Sequence, residues 1–355
     1  MKVAPIIKAI RAHPAAMTHV LVHTGQHYDE RMSDSFFVDL GMPMPDHNLE
    51  VGSGSHAQQT AAVMTKIEPV LIAEKPDLVL VVGDVNSTLA ATIAARKLNL
   101  RVGHVEAGLR SFDRTMPEEI NRLCTDAIAD DLFTTDRLAN ENLIREGVSE
   151  ERIHFVGNVM IDSLLAHREV AARRAFHSTL GLEKRGYATL TLHRPSNVEH
   201  ADKLAEIVDA IRAALPGMPI IFPVHPRTRA RIVEFGLLDR FVDNAGAPGI
   251  FLTEPLGYIE FLSLNGEARI VLTDSGGLQE ETTILGVPCV TIRENTERPI
   301  TVIEGTNRLA GTSRHGIMTA IAEAMAIQPG QARKPDKWDG QAAKRIVEII
   351  AARAG

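Results

Sequence analysis

Several short apolar runs of this chain end in residues able to move protons or to hold an anion. Leu78–Val82 runs into Gly83-Asp84, and Arg101–Val105 into Glu106-Ala107-Gly108. Further on, Tyr187–Thr191 ends at His193-Arg194, Pro219–Pro223 at His225-Pro226-Arg227, and Arg269–Thr273 at Asp274-Ser275-Gly276-Gly277. If these runs are strands of an open α/β sheet, every one of those groups lies at a carboxyl end, where such sheets bind ligands. Paired carboxylates can hold different protonation states and so divide the work of acid and base. A Ser-Gly-Gly turn at a helix start offers free N–H groups to a phosphate, and glycine lets the ligand approach the backbone. Glu281, one turn into that helix, is placed to accept hydrogen bonds from ribose hydroxyls.

Each group also has a plainer reading. Asp84 after a strand can cap the next helix, with Asn86 or Ser87 sharing the role. Thr115-Met116-Pro117-Glu118 reads as a capping box, with Pro117 a good first helical residue. Glu119, Asn121 and Arg122 extend a polar helix start that could face a cleft. Glu106 is harder to dismiss, because a charge that ends an apolar strand needs a partner. Ser275-Gly276-Gly277 by itself could be a tight loop between strand and helix. Arg298, in Thr296-Glu297-Arg298-Pro299, is either a phosphate's counter-charge or half of a surface salt bridge. The break at Thr24-Gly25 keeps His23 and His27 off one helical face, so they read as non-ligands, and most other histidines read as surface residues.

The elements that must position these groups follow a βαβ rhythm, which implies a parallel sheet covered by helices. Thr18–His23, Leu78–Val82, Arg101–Val105, Leu132–Thr134 and Ile153–Val156 read as buried strands, separated by amphipathic segments at Ala57–Glu74, Ser87–Leu98, Pro117–Ala129 and Ala139–Arg145. A long helical stretch, Asp162–Arg185, interrupts the rhythm. It resumes with Tyr187–Thr191, Pro219–Pro223, Gly249–Leu252, Arg269–Thr273 and Pro288–Ile292. Met1–Ala12 is already helix-like, so the first strand follows the first helix. With 355 residues, the chain is expected to hold two domains, 1–165 and 166–339, with a last helix in 340–355 crossing back onto the first.

Composition narrows the function. Apolar residues at 45% and charged residues at 23% are those of a globular chain. The net charge of −7, with no basic stripe, argues against a nucleic-acid partner, and 4% aromatic residues argue against base-stacking platforms. No apolar run matches a membrane span. Cys124 and Cys289 lie far apart, which points to a reducing, cytoplasmic compartment without a disulfide frame or zinc site. No G-x-G-x-x-G follows a strand, so no nicotinamide cofactor is expected; G-x-x-x-x-G-K-[ST] and G-x-S-x-G are missing as well, and the separated cysteines and scattered histidines leave no metal expected.

Taken in order, Thr24 through Asp29, Gly83-Asp84, His104 through Arg110, Pro117 through Arg122, Thr191 through Arg194, Pro223 through Pro226, Thr273 through Glu281 and Thr296 through Pro299 form a series. That series resembles the non-hydrolysing UDP-N-acetylglucosamine 2-epimerases over nearly the whole chain. The resemblance implies an α/β fold of two Rossmann-like domains facing across a cleft, as in GT-B glycosyltransferases. It also implies a homodimer that interconverts UDP-GlcNAc and UDP-ManNAc for surface polysaccharides. Catalytic roles are implied for Asp84, Glu106, Glu118 and His193. UDP or substrate contacts are implied for Lys2, Phe261, Ser275, Gly276, Gly277, Glu281 and Arg298. Gln26, Arg194 and His225 resemble positions where some members bind a second UDP-GlcNAc as activator, although Asp29 and Pro195-Ser196 depart from the pattern there.

The family opens with a strand and a Gly-Thr-Arg-Pro-Glu loop, whereas this sequence opens just after it, at Met1-Lys2-Val3-Ala4-Pro5. The first domain is therefore expected to lack an opening strand. Its neighbours would carry unpaired backbone groups at ~1–3 kcal/mol each, and the chain is expected to be poorly stable or weakly active. Arg110 through Asp113 and Thr191 through His193 also resemble epimerases of UDP-diacetamido-uronates. A GT-B glycosyltransferase is the rival from another class; it would not need several acids from the first domain. A hydrolysing epimerase or a silent sugar-nucleotide binder are further alternatives.

Carbon 2 of the hexose has no adjacent carbonyl to acidify its proton, and the loop for a redox cofactor is missing. The remaining route, which the resemblance also implies, expels UDP from C1 as the C2 proton leaves, giving a 2-acetamidoglucal. UDP then re-adds while a proton arrives on the opposite face of C2. The route needs UDP held tightly, a base on one face and an acid on the other. Spacing does not say which carboxylate serves which face.

Overall fold

Apolar runs without strict alternation build parallel strands that are buried on both faces. The computed structural model describes residues 1–15, 17–25, 41–327 and 333–354. The chain divides into two units, Met1–Ser163 with Asp336–Gly355, and Leu164–Pro335.

In the first unit, four parallel strands stand in the order Leu78–Val82, Arg101–Ala107, Asp131–Thr134 and Ile153–Phe155. Helices His56–Glu74 and Asn86–Lys97 cover one face, packing Ile67, Leu71, Ala91, Ala94 and Ala95 against Val81, Val102 and Leu132. Helices Val3–Ala12 and Ala342–Ala354 cover the other, where Ile6, Ile346 and Val347 meet Val105, Phe133 and Val156. Asp162 fastens the last helix by accepting from the amides of Ala342 at 3.1 Å and Ala343 at 2.7 Å. These donors have no partner within their own helix.

The expected strand Thr18–His23 is shorter in the structure. Only Val22–His23 pairs, in parallel with His47–Asn48. The Leu21 carbonyl already accepts from the amides of Asp46 and His47, and the Asp46 carboxylate accepts from the Leu21 amide, so the ladder cannot extend backwards. Among the described residues this pair hydrogen-bonds to no other strand.

In the second unit, seven parallel strands stand in the order Asn307–Leu309, Cys289–Thr291, Ile270–Thr273, Ala188–Thr191, Pro219–Pro223, Gly249–Thr253 and Phe241–Val242. Ala188–Thr191 comes first in this unit's sequence yet lies inside the sheet. The order therefore reverses between Ala188–Thr191 and Ile270–Thr273, and their carboxyl ends frame the crevice where an open sheet takes its ligand. The stretch expected as one helix, Asp162–Arg185, instead holds Val159–Arg174 and Phe176–Thr179. Ala175 breaks it, with a left-handed φ of 45°. Among the described residues no helix is long and apolar enough to cross a membrane.

Candidate active site

In the first unit the chemistry gathers around one turn. Gly83 follows strand Leu78–Val82 with φ of 79°, a left-handed conformation that favours glycine. Its amide donates to the Val105 carbonyl at 3.0 Å, and His104 Nε2 lies 2.9 Å from its carbonyl oxygen. A Cβ at this position would stand 3.2 Å from Lys2 Nζ and 3.8 Å from Glu106 Oε2, so the turn lies against the pair those two groups make.

Asp84 is not a helix cap. Val85 is the cap residue of Asn86–Lys97, and no side chain caps that helix. Arg122 Nη1 instead donates to Asp84 Oδ2 at 2.5 Å, while Asn121 Nδ2 donates to the Asp84 carbonyl at 2.9 Å. Glu106 sits at a bulge between Val105 and Ala107, with φ of 71°. A left-handed conformation costs a non-glycine residue about 1–3 kcal/mol, and bulges beside active sites re-aim side chains. The Glu106 carboxylate is buried. Lys2 Nζ donates to Oε2 at 2.5 Å, and Oε1 has no hydrogen-bond partner among the described residues.

The expected capping box at Glu118 does not form. Thr115 turns to Asp113 Oδ1 through both its amide and its hydroxyl, and Met116 is the cap residue of helix Pro117–Ile128. Glu118, half-buried, makes no hydrogen bond or ion pair with a described residue. Glu119 is the anchored carboxylate: it accepts from the Ser111 amide and hydroxyl and the Phe112 amide, and it pairs with Arg122. Burial pushes its carboxyl up, but those bonds outweigh burial and hold it below the usual range. The expectation that Glu119, Asn121 and Arg122 face a cleft is therefore wrong for their side chains, which are all buried. The buried polar side of this helix is what fixes Asp84.

In the second unit, Asp274 is the hub of the switch point. Its buried carboxylate accepts from the amides of His193 and Arg194 and from Asn197 Nδ2, and it pairs with His193 Nδ1 at 2.7 Å. Burial pushes the Asp274 carboxyl up, and His193 with the two amides more than reverses this. The His193 side chain remains 51% exposed, held on one ring nitrogen and open on the rest. Ser275 is the cap residue of helix Gly276–Leu285 without a capping bond from its side chain, so the first amides of that helix stay available. Gly276 admits no side chain, since a Cβ would stand 2.7 Å from Glu297 Oε1 and 3.0 Å from Arg298 Nη1. Gly277 continues the same first turn.

Arg298 is not a surface residue. It is buried, with Nε 2.8 Å from Glu280 and Nη1 2.7 Å from Glu297, and Arg293 shares Glu297. Burial pushes the Glu297 carboxyl up, but the two arginines hold it far below its ordinary value. Glu281 is buried beside Glu280, with the Tyr258 hydroxyl 3.5 Å away. Burial, then the Glu280 charge, push the Glu281 carboxyl up to about 8. Phe261 packs partly into the apolar cluster around Tyr187 and Leu264.

Of the expected activator positions, Arg194 Nε donates to the Asp274 carbonyl, and exposed His225 caps helix Pro226–Glu234 by accepting from the Arg227 amide. Gln26 lies outside the described residues. Among the described histidines only His104 and His177 are buried. The sequence reading passed over His104, Asp126 and Asp274 as site residues. The signal for His104 is a polar residue inside an apolar strand, two places before a glutamate.

The Glu281 proton has a measurable consequence. The folded protein keeps it to about 8 whereas the unfolded chain releases it near 4.5, so stability falls as pH rises across that window. Glu281→Gln is expected to flatten the fall by on the order of 2–4 kcal/mol, read from urea midpoints at about pH 5 and pH 8.

A family model described as UDP-N-acetylglucosamine 2-epimerase matches residues 8–351. A UDP-N-acetylglucosamine 2-epimerase of Methanocaldococcus jannaschii is 44% identical over 99% of this chain and 95% of its own length. A UDP-2,3-diacetamido-2,3-dideoxy-D-glucuronate 2-epimerase of Pseudomonas aeruginosa is 40% identical over 99% of this chain and 96% of its own. The crystal structure of the M. jannaschii UDP-GlcNAc 2-epimerase with UDP-GlcNAc and UDP superposes with a TM-score of 0.89 at 42% identity, covering 99% of this chain and 96% of that one. A trehalose 6-phosphate synthase of Burkholderia multivorans, with a TM-score of 0.53, 13% identity and coverage of 85% and 77%, shares the fold alone. The fold is thus the GT-B-like pair of Rossmann-like units, and the chain belongs to the UDP-N-acetylglucosamine 2-epimerase family.

Proposed function

We propose that this chain is an isomerase that interconverts UDP-GlcNAc and UDP-ManNAc by eliminating UDP to a 2-acetamidoglucal and adding it back. The observation that carries the reading is Glu106. Its bulged backbone turns a buried carboxylate beside the Gly83-Asp84 turn, with one oxygen on Lys2 and the other unpartnered among the described residues. In this reading Glu106, paired with Lys2, and Asp84, paired with Arg122, are the groups that take the C2 proton, and Glu118, which makes no ion pair with a described residue, is the group that delivers one. His193, set by Asp274, is the group for the leaving phosphate, and the amides following Ser275 hold the diphosphate. Arg298 and its two carboxylates shape the Gly276 turn, and Glu281 meets the ribose.

The test is incubation with UDP-GlcNAc alone, without an acceptor. UDP-ManNAc is the expected product. Free ManNAc would indicate a hydrolysing enzyme, and no change without an acceptor would favour a transferase. The P. aeruginosa relative supports a second substrate, a UDP-diacetamido-uronate; a larger kcat/KM on that sugar would establish it.

The same reading carries a cytoplasmic homodimer. Support for the dimer comes from helix Pro117–Ile128, where Ile120 and Ile128 are 41% and 39% exposed on the face that also carries exposed Cys124. Sedimentation is expected to give a dimer, and Ile128→Asp is expected to weaken it about tenfold or more; a monomer at all concentrations would contradict the dimer.

A further inference from the structure

His104 is fully buried in the middle of strand Arg101–Ala107, and the proton shuttle described above does not use it. Its ring is held at both nitrogens. Nε2 lies 2.9 Å from the Gly83 carbonyl oxygen, and Nδ1 lies 2.6 Å from Asp126 Oδ1. A carbonyl oxygen only accepts, so Nε2 carries a proton. Asp126 is an acceptor too. Its Oδ2 takes the Gly108 amide at 3.0 Å and Arg110 Nη1 at 2.7 Å. Burial pushes the Asp126 carboxyl up, but the Arg110 guanidinium and the Gly108 amide on Oδ2 favour its ionised form independently of His104. An ionised carboxylate facing Nδ1 requires a proton on that nitrogen as well.

We propose that His104 is a positioning residue, an imidazolium protonated on both ring nitrogens and clamped by Asp126, which fastens the Gly83 carbonyl and so sets the Asp84 turn against the Glu106 bulge. The Gly83 amide donates to Val105, so the turn is tied to the Glu106 strand through both its N–H and its C=O. Only the second tie depends on a side chain. Arg110 braces the far side of the clamp by pairing with Glu146 as well as Asp126. A core histidine that merely satisfies its hydrogen bonds would support stability alone, whereas a fastened turn also sets the distance between two carboxylates. Misplacing catalytic groups by about 1 Å can cost ~100-fold in rate.

The proposal rests on the epimerase reading, and two readouts separate their failures. In protein labelled with 15N-histidine, His104 is expected to show two slowly exchanging ring N–H signals that are absent in His104→Gln. A single ring N–H would overturn the imidazolium. In the activity assay, His104→Gln is expected to lower kcat ~100-fold while KM and UDP affinity stay within a few-fold. Asp126→Asn keeps a neutral ring able to donate to Gly83, and is expected to lose less activity than His104→Gln. It also serves if the first variant folds poorly. Folded His104→Gln with unchanged kcat, or with a change in KM alone, would overturn the positioning role while leaving the epimerase reading intact. If the unsubstituted protein exchanges no proton at C2 of the substrate, the epimerase reading and the positioning role fall together.

Discussion

Glu106→Gln is expected to abolish solvent exchange at C2 of UDP-GlcNAc while UDP still binds with nearly its original affinity. Glutamine fills the same volume at the bulge, so the left-handed backbone and the Gly83 turn keep their packing. What is lost is the charge. The amide cannot take up a proton, and Lys2, only partly buried, returns to water without a large penalty. A positioned acid or base contributes roughly 10²–10⁴-fold, so kcat should fall by that factor or more. On the proposed reading the diphosphate is held by the amides following Ser275, so UDP affinity should change by less than about threefold, since the substitution removes no group assigned to the diphosphate. Deuterium incorporation and calorimetric titration with UDP give the two numbers. Normal exchange in this variant would remove Glu106 from the mechanism.

Asp274→Asn should be damaging in a different way, because stability and rate fall together. The carboxylate gathers the amides of His193 and Arg194, the Asn197 side chain and the His193 ring on two acceptor oxygens. Asparagine offers one acceptor and turns an NH₂ group towards a buried donor. Breaking a buried, hydrogen-bonded charge costs about 3–5 kcal/mol. The His193 ring also loses the partner that orients it, which in comparable acid–histidine pairs costs up to ~10⁴ in kcat. His193→Asn is the control. Its side chain is half exposed, so kcat should fall with little change in melting temperature. Equal stability of Asp274→Asn and the unsubstituted protein would contradict the hub.

The sheets were legible in the sequence because parallel strands are apolar on both faces and the helices between them are not. Asp84 and Glu106 could be singled out as candidates because they stand at strand ends, whereas Glu118 stands in the first turn of a helix. Pairing across distance was not legible. Helix Pro117–Ile128 shows why: an amphipathic reading turns Ile120 and Ile128 inward and Glu119 and Arg122 outward, and the structure does the reverse. Asp84 and the Ser111–Phe112 loop supply the partners that let the polar side be buried, and they come from elsewhere in the chain. The spacing of Glu119, Arg122 and Asp126 marks one helical face, a signal that gains meaning only once those partners are known. Glu281 and Arg298 were read from their places in the sequence as ribose and phosphate contacts, and the resemblance implied the same. Their burial among Glu280, Glu297 and Tyr258 is a three-dimensional fact that no local pattern carries.

The central claim is that the bond between nucleotide and hexose breaks while the nucleotide stays bound, with carboxylates moving the C2 proton. Proton NMR of UDP-GlcNAc incubated with this protein in D₂O tests it most directly. UDP-ManNAc is expected to appear with deuterium at C2, recovered UDP-GlcNAc to become deuterated as well, and neither free ManNAc nor stoichiometric free UDP to accumulate. UDP-ManNAc that keeps its C2 proton, or no exchange at all in folded protein that binds UDP, would contradict it.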